Sequence, residues 1–200
     1  MTTVPLKRSA APTDADQFVT LHGISWTEYE IMLAIRGDRP APRMTYLEGE
    51  LELMSSSRSH EWVRKTLSRL IEAWATERRV PLVGMGSWTL ESAPDQRGLD
   101  PDGCYALSER DDRPDLAVEV VWTRPAIPKL EVYRGLGIPE VWVWEEGRMH
   151  VHVLRGDAYA EVPRSELLPE APLDAFVRLL EGGDQAQAVF GLLDLLRAQA

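Results

Sequence analysis

The chain has 200 residues, 44% of them apolar and 27% charged, the balance of a folded globular protein of one or two domains. Its 22 Lys and Arg against 32 Asp and Glu leave a net charge of −10, which repels phosphate backbones at long range and argues against a dedicated, tight DNA binder. It does not exclude an enzyme that meets nucleic acid through a local patch and a divalent metal. One cysteine, Cys104, rules out an intramolecular disulfide and a zinc site built from several thiolates. No apolar run reaches the ~18 residues of a membrane span, and the N-terminus lacks an apolar signal core, so a cytoplasmic protein is expected.

Residues 1–17, rich in Ala, Thr, Pro and Asp, read as a flexible arm, and 18–200 as a single domain. Ser25, with Glu28 three residues on, predicts a capping box and a helix over Trp26 to Arg36. Tyr46-Leu47 and Leu51 to Met54 read as strands about a Glu48-Gly49 turn, with Leu51 and Leu53 on one face and Glu50 and Glu52 on the other. Ser59 to Arg79 is the strongest helix: Trp62, Val63, Leu67, Leu70, Ile71 and Trp74 form one apolar stripe. Strands follow at Pro81 to Val83, Ser87 to Glu91, Asp100 to Leu107 and Asp115 to Trp122, the last two about the polar loop Ser108 to Pro114. A short helix over Ile127 to Arg134 is closed by Gly135 and Gly137. Glu140 to Trp144 is a strand, Met149 to Leu154 and Ala158 to Val162 form a hairpin, and Leu173 to Glu181 and Gln185 to Ala198 are helices. This order predicts one α/β domain with a central mixed β-sheet flanked by helices.

Pairing the strands Asp100 to Leu107 and Asp115 to Trp122 symmetrically about their loop puts Asp102 opposite Glu119. Facing residues of such a pair have Cβ atoms about 4.5–5.5 Å apart, where two like charges repel. Glu119 also lies in the middle of an otherwise apolar strand, where an unpaired carboxylate is costly. A divalent cation is the expected compensator, since Mg²⁺ takes one or two carboxylates and keeps several waters; the competing account is a salt bridge from Glu119 to an arginine. On the metal account, neutralising either acid in the ion-free protein leaves the fold intact or stabilises it.

Pro101-Asp102 followed by Glu119 in its strand resembles the PD-(D/E)xK nuclease superfamily. Tyr46 to Glu50, Met54 with His60, Asp102, Pro114 to Val120, Lys129-Leu130 with Tyr133, and Gly137 to Trp142 together resemble, more narrowly, the bacterial family described as putative restriction endonucleases. The resemblance runs from about residue 25 to 180. It implies a restriction-endonuclease-like fold and Mg²⁺- or Mn²⁺-dependent hydrolysis of phosphodiesters, with Asp102 and Glu119 as metal ligands. A literal ExK pattern would place lysine at position 121, which is Val121; the resemblance implies that the lysine has moved to the next helix, as Lys129. The three then form the expected catalytic set.

Glu50 and His60 are candidate supporting residues. Glu50 sits on the polar face of its strand, and His60 opens the basic helix at a position that resembles a family histidine. The stretch Ser57 to Val80 is +3 while the rest of the chain is −13. Its Arg58, Arg64 and Lys65 are the expected contacts to nucleic acid, DNA in the first instance; a solvated helix face is the alternative reading. His150 and His152 share a strand face without a third ligand nearby in sequence. Cys104 reads as a buried structural thiol, and Trp62, Trp74 and Trp122 as core. The chain is thus expected to be a metal-dependent endonuclease, with a catalytically degenerate nuclease-fold binding module as the rival. A small-molecule-binding dimer with a Trp-lined cleft is a third reading, and a homodimer is compatible with each.

Overall fold

The computed structural model describes residues 14–86, 88–108 and 113–198. In chain order, the first half of the fold is β1 (Gln17–His22), α1 (Trp26–Arg36), β2 (Arg43–Leu47), β3 (Glu50–Ser55), α2 (Arg58–Glu77), β4 (Val83–Gly86), β5 (Leu90–Ser92) and β6 (Arg97–Leu99). The second half is β7 (Gly103–Ala106), β8 (Leu116–Val121), α3 (Lys129–Leu136), β9 (Glu140–Glu145), β10 (Arg148–Arg155), β11 (Ala158–Val162), α4 (Leu173–Leu180) and α5 (Gln185–Arg197).

These strands form two sheets rather than the single central sheet expected. One has the order β1-β3-β2-β6-β5, the other β11-β10-β9-β8-β7-β4. The six-stranded sheet is mixed: β8 and β9 are parallel, joined through α3, and its other pairs are antiparallel. The split occurs inside the predicted strand Asp100 to Leu107. Asp100 makes a last backbone bond to Met44 of β2 (3.0 Å), and Pro101 then has no N–H with which to extend the ladder. Asp100 to Asp102 therefore carry the chain from β6 in one sheet to β7 in the other.

Each layer buries the faces that periodicity marks out. The α2 stripe packs with α4 and α5 on one face of the six-stranded sheet, around Leu67, Leu70, Trp74, Trp142 and Phe176. The opposite face meets α3 through Ala117, Val132, Tyr133 and Val141. On the five-stranded sheet α1 contributes Tyr29, whose ring stacks on Tyr46 at 4.8 Å. The Ser25–Glu28 capping box starts α1 as predicted. The β2–β3 turn is made by Glu48 and Gly49, both with positive φ.

Three further boundaries differ from expectation. Of the predicted arm, residues 1–13 lie outside the described residues, but Asp14 to Gln17 are tied down: Asp14 bonds Ser59, Asp16 is buried and accepts from the Ser57 N–H at 2.7 Å, and Gln17 begins β1 opposite Ser55. The third helix starts at Lys129 and runs through Gly135, with Gly137 at φ 71° ending it. Of the predicted strand Ser87 to Glu91, Ser87 lies outside the described residues and only Leu90 and Glu91 fall in β5. Among the described residues no helix is long and apolar enough to cross a membrane.

Candidate active site

The β7–β8 ladder pairs Gly103 with Val118, Cys104 with Ala117 and Tyr105 with Leu116, which is the register predicted from the loop symmetry. Continued by one residue, it sets Asp102 beside Glu119. Asp102 Oδ2 accepts the backbone N–H of Val120 at 2.9 Å, so its carboxylate lies across the neighbouring strand next to Glu119. Both acids are 2% exposed, a depth at which neither survives unpaired.

Their side-chain partners come from three elements. Asp102 Oδ1 accepts from the Arg43 guanidinium of β2 and faces His60 Nε2 of α2 at 3.0 Å. The other ring nitrogen of His60 faces Asp16 Oδ2, also at 3.0 Å, so the imidazole bridges two buried carboxylates. Glu119 Oε2 accepts from Lys129 Nζ at 2.6 Å, and Oε1 accepts from the Tyr133 hydroxyl. Lys129 and Tyr133 are four residues apart on α3, the spacing that puts two side chains on one helix face. Three cations, Arg43, His60 and Lys129, thus meet three carboxylates, Asp16, Asp102 and Glu119.

Burial works to raise the Asp102 pKa, but the Arg43 charge, the His60 hydrogen bond and the Lys129 charge outweigh it and hold the group well below the ordinary range. Burial prevails for Glu119, which is pushed up despite Lys129, with the Asp102 charge acting in the same direction. Burial would lower His60, yet its bonds to Asp102 and Asp16 push it up to about 9, so it is charged at neutral pH. Lys129 is likewise raised, because Glu119 and Asp102 outweigh its burial; it is an ammonium donor rather than a base.

Asp102, Glu119, Lys129 and His60 are therefore brought together, whereas Glu50 is not. Glu50 pairs with His22 of β1 at an exposed position, and it is Glu52 that is buried, accepting the Ala126 N–H at 2.6 Å. Both acids of β3 share the polar face expected from alternation; burial of that face differs along the strand. The cluster opens at two places. Glu119, Lys129 and Tyr133 line a cavity of about 500 Å³ with the apolar residues Val121, Ile127 and Val143. Asp102 lines a cleft of about 230 Å³ together with Arg64 and Lys65. Arg58 lies elsewhere, beside Trp62 and Leu180.

Cys104 is buried, donating to the Gly86 carbonyl at 3.3 Å. His150 pairs with Glu161 at 2.8 Å, and among the described residues no three His, Cys, Asp or Glu are grouped to hold a metal ion. Trp122 is not core: it is 37% exposed and stacks on Trp144 at 5.8 Å. Sequence reasoning missed Arg43, Asp16 and the role of Tyr133. The four-residue step from Lys129 would have found Tyr133; nothing local marks the other two.

Two acids on adjoining strands of a mixed sheet, with a lysine on the helix that follows, belong to a restriction-endonuclease-like domain. The chain is a member of the Uma2 family, described as putative restriction endonuclease, whose match spans residues 26–182. No curated protein matches the chain. The matched span holds Arg43, His60, Asp102, Glu119 and Lys129, while Asp16 precedes it.

Proposed function

We propose that the protein is a Mg²⁺- or Mn²⁺-dependent endonuclease that hydrolyses phosphodiester bonds of nucleic acid, DNA in the first instance. The observation that carries this reading is the convergence of Asp102, Glu119 and Lys129, from the crossover before β7, from β8 and from α3, in one buried cluster bordered by two cavities. The donor set fits a hard divalent ion: two carboxylates side by side, in a field strong enough to draw a guanidinium and an ammonium onto their oxygens. Asp102 and Glu119 would hold the ion, which when bound polarises a phosphoryl oxygen and lowers the pKa of a water.

The chain's own groups do the rest. His60, clamped by Asp16, fixes the Asp102 carboxylate, and Tyr133 fixes the rotamer of Glu119. Lys129, protonated on the wall of the larger cavity, is positioned to stabilise negative charge building on the phosphoryl oxygens. Arg64 and Lys65 supply local positive charge at the Asp102 cleft, where the molecule as a whole would repel the substrate.

The test is cleavage of supercoiled plasmid at low ionic strength with Mg²⁺ or Mn²⁺. Wild-type protein should nick it, and Glu119→Gln, shown folded by circular dichroism, should not. Activity unchanged in Glu119→Gln would overturn the assignment, as would no cleavage of duplex DNA, single-stranded DNA or RNA by the wild type. The alternative, a nuclease-fold binding module without catalysis, draws on the full occupation of both carboxylates by protein donors. It predicts nucleic-acid binding without cleavage in the same assay.

A further inference from the structure

Arg43 belongs to the five-stranded sheet, yet its guanidinium ends on the acid that the other sheet contributes. The side chain is only 10% exposed, and its Nη1 takes Asp102 Oδ1, the oxygen that also faces His60. The same nitrogen lies 3.4 Å from the Pro101 carbonyl, so the guanidinium closes over the turn that carries the chain between the sheets. Asp102 Oδ2 accepts the Val120 N–H, a side-chain-to-backbone bond that helps hold the strands together. A divalent ion taken up by this carboxylate therefore meets two cations already in contact with it, Arg43 and His60. A third positive charge at one carboxylate is strongly repelled unless a resident cation gives way, and His60 is held in place by Asp16.

A second resting place for Arg43 is at hand. Its Nη2 is 3.7 Å from Glu61 Oε1 on α2, while Arg64 engages the other oxygen of Glu61 at 2.7 Å. Glu61 is 43% exposed, so its oxygen can take the guanidinium without bringing a new charge into the interior. Rotation about the end of the Arg43 side chain exchanges one carboxylate for the other and keeps the guanidinium paired.

We propose that Arg43 is the resident counter-ion of the metal position: it neutralises Asp102 in the metal-free protein and yields Oδ1 to the divalent ion by shifting onto Glu61. This rests on the metal-dependent reading above and deepens it. Arg43 then sets the affinity for the ion, and its removal tightens metal binding instead of weakening it. A residue that merely props Asp102 in place would have the opposite effect. Glu61 acts mainly through Arg43, its other partner being Arg64, so most of its contribution is lost once Arg43 is gone.

Isothermal titration of the full chain with Mn²⁺ tests this without any activity measurement. Arg43→Met, close in length and uncharged, should bind Mn²⁺ at least about fivefold more tightly than the wild type, the lower end of ordinary site-to-site coupling. Glu61→Gln alone should bind more weakly than the wild type, and Glu61→Gln added to Arg43→Met should have a distinctly smaller effect. Should Arg43→Met fail to fold, Arg43→Gln, which removes the charge but keeps a hydrogen-bond donor for Asp102, should still bind more tightly than the wild type. Equal or weaker binding by the folded Arg43 variant, or an equal effect of Glu61→Gln in both backgrounds, would overturn the proposal and leave the metal site standing. Mn²⁺ binding by none of the proteins would overturn both this and the metal-dependent reading.

Discussion

Asp102 shows how far one side chain depends on residues distant in sequence. Its two oxygens take a guanidinium 59 residues away, an imidazole 42 residues away and a backbone N–H 18 residues away. With Arg43 and His60 in contact and Lys129 on the neighbouring acid, the repulsion between Asp102 and Glu119 is already compensated by protein cations. A divalent cation is therefore not the sole compensator, and neutralising Asp102 is expected to cost stability rather than leave the fold intact. Asp102→Asn would leave the buried Arg43 and His60 facing an amide, and breaking a buried pair from one side costs on the order of 3–5 kcal/mol. Urea unfolding in the presence of a chelator should show that loss; a variant as stable as the wild type would mean that Arg43 re-pairs with Glu61 at no cost.

At the scale of elements, the path from β6 through the crossover to β7 is what aims Asp102, and β6 depends on a close approach that only glycine permits. A Cβ on Gly98 would lie 2.9 Å from Tyr29 Cζ and nearer still to the hydroxyl. Tyr29 cannot swing clear, because its ring is stacked on Tyr46 and sits 5.1 Å from that of Trp26. Among the described residues its buried hydroxyl has no hydrogen-bond partner, consistent with a ring held by packing over the Gly98 backbone. Gly98→Ala should accordingly cost about 1–3 kcal/mol, the range for overpacking a filled core, and chemical denaturation would measure it. A neutral substitution would show that α1 can lift from the sheet. Gly135 plays a matching part in α3, where the Arg97 side chain crosses it to reach the Glu131 carbonyl and Glu48. Through that contact the second sheet grips the helix that presents Lys129.

Across the whole molecule, the distribution of charge matters more than its sum. A chain of −10 presents Arg64 and Lys65 to a polyanion where α2 borders the Asp102 cleft. If nucleic acid enters there, the slope of log K against log salt for duplex binding should shrink by about 2 when both are replaced by alanine, close to 0.9 per lost phosphate contact. Fluorescence anisotropy on the Glu119→Gln background, which binds without cutting, would report it. An unchanged slope would move the nucleic-acid surface away from α2, and with it the reading of the basic helix as more than a solvated face.

What the sequence determined by itself was local. The capping box of α1, the apolar stripe of α2 and the pairing that sets Asp102 beside Glu119 rest on residues within one element or across one loop, where spacing dictates geometry. Lys129 was legible through the family resemblance, which implies a lysine on the next helix, ten residues beyond Glu119. Only the tertiary structure decided the rest. The break at Pro101 that sends β6 and β7 to different sheets, the arrival of Arg43 from the second sheet and the clamp of His60 by Asp16 depend on how layers stack. No spacing encodes those contacts, because the partners meet only when two separately formed sheets bury their facing charges against each other.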